Sequence, residues 1–215
     1  MKYKGILFDL DGTLVDTLED LTDAMNWALR QLNLPTHTAE SCRQMIGYGT
    51  HEFARRALPP GREDLTETLR TLMMQYYDQH CLQKSRPYDG FDKVLPVLKQ
   101  KGIRLAVISN KNHPQTVKIV EYYFGKGTFD FICGMSDHFQ PKPAPDMALA
   151  ALEALSLEPQ QAVLIGDSDI DVFTAQAAGL EAIGAGWGFR SPEVLRQAGA
   201  RQILTHPTEI LELVC

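Results

Sequence analysis

The sequence lacks any apolar stretch of membrane-spanning length, any CxxC pair, and any run of six or more like charges. Each absence excludes a class of protein. About 20 consecutive apolar residues would be needed for a transmembrane helix. The chain start, Met1 to Gly5, leads directly into a strand-like run instead of the apolar segment and small-residue cleavage site of a secretion signal. The four cysteines, Cys42, Cys81, Cys133 and Cys215, are scattered, with no histidine at zinc-finger spacing. This points to a reduced cytosol, and Cys215 suggests no role of its own. A net charge of -6 without clustered Lys and Arg disfavours a nucleic-acid-backbone binder. What is present, 44% hydrophobic and 22% charged residues over 215 positions, is enough for a sizeable core and argues against disorder.

Continuous apolar runs at Gly5–Phe8, Arg104–Ser109, Phe129–Cys133, Ala162–Ile165 and Glu181–Gly184, with a weaker one at Gln202–Leu204, predict strands covered on both faces. Helical segments at Gly90–Lys101, Pro114–Phe124, Ala144–Leu155 and Asp169–Ala178 alternate with them. That alternation predicts an α/β fold with a doubly wound parallel sheet. The stretch after the first strand breaks the rhythm. Thr17–Leu32 carries Leu18, Leu21, Met25, Ala28, Leu29 and Leu32 on one helical stripe. Further helical pieces follow near His51–Leu58 and Leu65–Cys81. We expect a small all-helical insert over residues 17–85, entered near Asp16 and left near Arg86 and Pro87, with residues 1–16 and 86–215 forming the sheet core. Such an insert is either a lid or a plain elaboration of the sheet.

Four local patterns carry chemistry. Asp9 and Asp11, followed by Gly12 and Thr13, leave the end of the first strand, where open α/β sheets place ligands. Two carboxylates so close can share a hard cation, although a turn with Thr13 and Asp16 as a helix cap would read similarly. Asp167 and Asp171 stand after the strand Ala162–Ile165, where Ser168 with Asp171 also matches a capping box. Capping alone does not require Asp167, and four converging carboxylates would repel unless a cation lies among them. Ser109, Asn110 and Lys111 precede a helix, a junction suited to phosphate oxygens or to N-capping. Lys142, held between Pro141 and Pro143, could neutralise an anion.

The order Asp pair, Ser-Asn, Lys, Asp pair closely resembles the haloacid dehalogenase-like phosphohydrolase family, over essentially the whole chain. The resemblance implies a Rossmann-like core with a helical cap after the first strand, and a Mg²⁺-dependent phosphatase working through an aspartyl-phosphate. It implies Asp9 as nucleophile, Asp11 as acid and base, and Lys142 as the balancing cation. The metal would sit on the side chains of Asp9 and Asp167 and the main-chain carbonyl of Asp11, with Asp171 and Thr13 as supporting groups behind it. Ser109, the Asn110 backbone and Lys142 would hold the phosphoryl oxygens. An aspartate at position 11 fits phosphatases and mutases of the family rather than dehalogenases. The segment Met45–Thr50 joins two expected helices and, with Trp187, Gly188 and Phe189, resembles the phosphoglycolate phosphatase subfamily. Gly47, Tyr48, Gly49 and Lys111 are thus candidates for substrate selection, with Arg55 and Arg56 as further candidates for a substrate carboxylate. The implied partner is a small phosphate ester, with neither nucleic acid nor membrane, for a monomer or homodimer in the cytoplasm. A phosphatase for pyrophosphate, a sugar phosphate or a nucleotide, a sugar-phosphate mutase, a phospho-signalling module and a silent binder are the competing readings.

Overall fold

A computed structural model describes residues 3–214, so Cys215 lies outside the described residues. The chain order is β1 (Gly5–Phe8), β2 (Val15–Asp16), α1 (Leu18–Gln31), α2 (Ala39–Met45), α3 (Thr50–Ala57), α4 (Thr66–His80) and β3 (Arg86–Pro87). It continues with α5 (Phe91–Gln100), β4 (Arg104–Asn112), α6 (His113–Phe124), β5 (Phe131–Met135) and α7 (Asp146–Leu155). The last elements are β6 (Ala162–Gly166), α8 (Asp169–Ala177), β7 (Glu181–Ala185), α9 (Pro192–Ala198) and β8 (Gln202–Leu204). Six strands form one parallel sheet in the order β5-β4-β1-β6-β7-β8.

Central β1 shows why continuous apolar runs signal this sheet. Ile6 and Phe8 enter one core layer with Phe91, Val94 and Ile119, on the side of α5 and α6. Leu7 enters the other with Met147, Ala151 and Val172, on the side of α7 and α8. Side chains alternate between faces, so a strand sandwiched by helices needs an apolar residue at every position. Phe8 meets Phe91 and Phe129 edge-on at 6.0 and 6.2 Å between ring centres, a favoured aromatic geometry.

The register fixes where functional groups emerge. Phe8 pairs with Val107 on β4 and Ile165 on β6, so Asp9 leaves the sheet between Ile108 and Gly166. The strand order also reverses direction of winding around β1, the switch point where such sheets open a crevice.

Four helices lie between β2 and β3, and these two strands pair antiparallel, Asp16 opposite Arg86 and Val15 opposite Pro87. The chain therefore enters and leaves the helical segment through one two-stranded ribbon. Inside it, the stripe of α1 (Leu18, Leu21, Met25, Ala28, Leu29) is buried with Leu69, Met73 and Tyr77 of α4. Several boundaries shift by one to three residues from expectation, two of them near the site. β5 starts at Phe131 rather than Phe129, and β4 runs on to Asn112, keeping Ser109–Lys111 inside the strand with a register shift against β5. Helix α2 and helix α9 had no sequence counterpart because each is only 7 residues long, too short for a convincing stripe. Among the described residues no helix is long and apolar enough to cross a membrane.

Candidate active site

The pocket at the sheet's carboxyl edge brings together Asp9, Asp11, Ser109, Asn110, Lys111, Lys142 and Asp167 from the core, and Gly47 and Gly49 from the insert. Leu21, Phe53 and Phe189 supply apolar wall. The core residues just named come from the ends of β1, β4 and β6 and from the loop before α7, while Arg190, from the loop after β7, and Thr50 of α3 add further polar lining.

Lys142 is the hub. Its Nζ donates to Oδ1 of Asp9 at 2.7 Å, Oδ1 of Asp171 at 2.6 Å and the carbonyl of Ile108 at 3.3 Å, with only 3% of the side chain exposed. Its loop is fixed by Asn110, whose Oδ1 accepts from Lys142 N–H at 2.8 Å and whose Nδ2 donates to Lys142 O at 2.9 Å. The same Nδ2 reaches Gly47 O at 3.0 Å. Both ends of the Asn110 amide are thus committed to scaffolding, which leaves its main chain for any ligand.

Asp167 takes the Thr13 hydroxyl on Oδ1 at 3.2 Å and the Phe189 N–H on Oδ2 at 2.7 Å. Thr13 therefore supports Asp167 and does not cap a helix through Asp16; Asp16 instead accepts the Leu18 N–H. Close approach here demands glycine. A Cβ on Gly12, which holds φ +89°, would lie 2.3 Å from Asp167 Oδ2, and one on Gly188 would lie 2.2 Å from Asp167 Cβ. At α8, the capping box and the charge role coexist: Asp171 Oδ2 accepts from Ser168 N–H and Oγ, while Oδ1 accepts from Lys142.

Asp11 is held apart from this cluster. Oδ1 accepts from the Thr17 hydroxyl at 2.6 Å and Oδ2 from Lys111 Nζ at 2.8 Å. Lys111 is itself buried, and its ammonium lies 4.7 Å from the centre of the Tyr77 ring of α4.

Carboxyl oxygens of Asp9, Asp167 and Asp171 lie within 4.8 Å of one another. These three buried acids face one ammonium, so the cluster carries excess negative charge. Burial pushes the Asp9 carboxyl up to about 7; Lys142 opposes the rise, while Asp171 and Asp11 add to it. Burial likewise lifts Asp167 well above the carboxylate range, helped by Asp9 and Asp171 and resisted by the Phe189 N–H and Arg190. Burial alone would lower the Lys142 ammonium, but Asp171 and Asp9 outweigh it and hold the group above its ordinary value. A carboxylate cluster that disfavours its own ionisation is suited to a hard divalent cation with oxygen ligands. Asp9 and Asp167 fit such an ion. Asp171, with both oxygens in hydrogen bonds, fits a supporting place, and the Asp11 side chain is engaged with Thr17 and Lys111.

The candidates on the insert sort differently. Gly47 and Gly49 line the pocket with backbone, but Tyr48 does not: its ring lies under the Arg56 guanidinium at 3.9 Å. Arg55 and Arg56 are both bonded to Glu52 at 2.7 Å, so neither is a free receptor for a substrate carboxylate. Lys111, a candidate for substrate selection, is carried inward by the extension of β4 and lines the pocket. Arg190 is the residue that sequence reasoning missed. It lines the pocket and donates to carbonyls of the insert, and its signal was adjacency to Trp187, Gly188 and Phe189.

Haloacid dehalogenase-like hydrolases share a sequence pattern that matches residues 6–185. The chain belongs to that family. Among curated relatives, it is 34% identical over 185 residues to a phosphoglycolate phosphatase of Aquifex aeolicus, covering 86% of this chain and 85% of that one. It is 32% identical to the phosphoglycolate phosphatase of Colwellia psychrerythraea, covering 96% and 94%. Among solved structures, it superposes with TM-score 0.93 and 32% identity on a Lactobacillus delbrueckii subsp. bulgaricus protein provisionally named a phosphoglycolate phosphatase, over 100% and 99% of the two chains.

Proposed function

We propose that the protein is a phosphatase for a small acidic phosphate monoester, 2-phosphoglycolate foremost, acting through an aspartyl-phosphate on Asp9 with Mg²⁺ in the acidic cluster. The observation that carries this reading is the separation of the rim into two ion-paired halves: Asp9 with Lys142, and Asp11 with Lys111. A nucleophile and an acid–base group need different environments at one site, and these two carboxylates have them. Curated relatives named phosphoglycolate phosphatase support the substrate.

Asp9, Asp167 and the Asp11 carbonyl would hold the ion, which when bound supplies positive charge against the repulsion between a carboxylate and a phosphate dianion. Asp9 attacks phosphorus, forming the Asp9–phosphorus bond as the bond to the leaving oxygen breaks. Asp11, protonated at that moment, gives its proton to the leaving alkoxide. The resulting Asp11 carboxylate then takes a proton from water, whose oxygen attacks phosphorus and releases inorganic phosphate and free Asp9. Lys142, the Ser109 hydroxyl and the Asn110 main chain hold the phosphoryl oxygens during both steps.

Lys111 gives the substrate its second anchor. A carboxylate two atoms from the bridging oxygen would compete with Asp11 for this ammonium, placing the leaving group beside its acid. Cys42, Cys81 and Cys133 are free and buried, which supports a reducing, cytoplasmic setting.

Phosphate release from 2-phosphoglycolate, pyrophosphate, hexose phosphates and nucleoside monophosphates, each with Mg²⁺ and with chelator, tests the reading. We expect Mg²⁺-dependent release with 2-phosphoglycolate preferred. Preference for another ester would discard the substrate and keep the phosphatase; no release from any would overturn both.

A further inference from the structure

We infer that Arg190 is a positioning residue that fastens the helical insert onto the core rim and so holds the Gly47–Gly49 backbone against the pocket. This rests on the pocket above being the catalytic one.

Arg190 projects from the loop between β7 and α9, and that loop is pinned to the core on both sides of Gly188. Trp187 Nε1 donates to Thr13 O at 2.9 Å, and the Phe189 N–H donates to Asp167 Oδ2 at 2.7 Å. From this fixed base the guanidinium crosses to the insert. It donates to Arg43 O at 2.5 Å, Ile46 O at 2.8 Å and Gln44 O at 3.5 Å. All three acceptors lie in the last turn of α2 or at its end, where a helix has carbonyls without intrahelical partners and a partial negative charge. A planar cation with several donors suits that cluster better than an ammonium would.

The insert is held to the core at two places. Near the ribbon, Lys118 donates to Asp78 O and Tyr123 to Ser85 O, each at 2.6 Å, and Gln115 bonds Asp78. At the far rim, among the described residues, the hydrogen-bonding ties to α2 and its following loop come from Arg190 and Asn110. Asn110 also builds the Lys142 loop, so Arg190 is the tie whose side chain can be removed with every hydrogen bond of the acidic cluster kept, at the loss of one positive charge near Asp167. It needs only main-chain acceptors on the insert, so the residue types there carry no sign of the contact.

The test uses the full chain with Mg²⁺ and the variants Arg190→Ala and Arg190→Lys, read by hydrogen exchange and steady-state kinetics. In Arg190→Ala, amides of residues 43–50 should exchange about tenfold faster, with β1 and β6 unchanged, since charge-assisted hydrogen bonds have been removed. The kcat/KM for 2-phosphoglycolate should fall by about the same factor, and Arg190→Lys should recover part of both. Wild-type exchange in Arg190→Ala would overturn the inference, as would faster exchange spread evenly into β1 and β6, which marks general destabilisation. Faster local exchange with unchanged kcat/KM on every ester the wild type hydrolyses would also overturn it. If the wild type leaves 2-phosphoglycolate intact, the substrate reading fails while exchange, and kcat/KM on whichever ester is hydrolysed, still decide the role of Arg190.

Discussion

The core rim and the helical insert build opposite kinds of surface around one pocket. The rim presents charged side chains, buried and individually bonded: Lys142 on Asp9 and Asp171, Lys111 on Asp11, Thr13 and the Phe189 N–H on Asp167. The insert presents backbone at Gly47 and Gly49 and apolar wall at Leu21 and Phe53, and is held by Arg190 and Asn110 through its own carbonyls. Preorganised charge belongs where bonds are made and broken, because electrostatic stabilisation works best when it needs no rearrangement. Shape and backbone would suit a part that selects a ligand, the role proposed for the insert. If this division is right, damage to the rim removes chemistry for every substrate, and damage to the insert changes which substrate is preferred.

The sharpest way to break the comparison is Asp9→Asn. It should reduce turnover at least about a thousand-fold on every ester, because the neighbouring Asp167 and Asp171 have both oxygens engaged by other partners. Residual activity near wild type would move the chemistry away from the rim. Next in size is Lys142→Ala, which strands buried carboxylates without their ammonium. Breaking a buried ion pair costs about 3–5 kcal/mol, so thermal melting in chelator should fall by about 10 °C. A melting point within about 2 °C of wild type would show that the cluster does not depend on this lysine.

Lys111→Met sharpens the comparison at the boundary between the two regions. Its kcat/KM for 2-phosphoglycolate should fall about 10- to 100-fold further than for ethyl phosphate, which needs the same acid but has no carboxylate. Equal losses would reduce Lys111 to a partner of Asp11. The pH dependence of stability probes the rim without mutation. Asp9 is raised from 3.8 to about 7, so the folded state holds this proton more tightly than the unfolded chain. Its contribution is complete below pH 3.8 and is lost as pH rises through about 7 in chelator. Mg²⁺ competes with that proton, so the melting shift on adding Mg²⁺ should be larger at pH 8 than at pH 5; the reverse order would remove the ion from this cluster. Smallest is Tyr48→Ala, whose ring packs on Arg56 outside the pocket. We expect an effect within about twofold on kcat/KM for all substrates, consistent with a surface substitution.

What could be read from sequence follows the same division. The rim was legible because each of its groups stands beside a short apolar strand, and strand order then forces them to one edge. Asp9, Asp11 and Asp167 stood out by that spacing and Lys142 by its two flanking prolines, but it was the joint order of the four patterns, and the family it resembles, that set them apart from turns and caps. The insert's α1 was equally plain from its stripe. Lys111 was legible as a candidate but its burial was not, because that depends on β4 continuing past Ser109, which no local pattern marks. Tyr48 suggested a contact that its ring does not make, since the neighbouring glycines, not the tyrosine, approach the site. Arg190 escaped because its acceptors are main-chain carbonyls, which every residue type supplies.

The most direct test of the central claim is rapid acid quench during turnover of 2-phosphoglycolate with Mg²⁺, followed by mass spectrometry of the peptide carrying Asp9. A transient phosphoryl mass on Asp9, absent in Asp9→Asn and in chelator, is the predicted result. Steady turnover with that peptide never modified, or with the phosphoryl group on another residue, would contradict it.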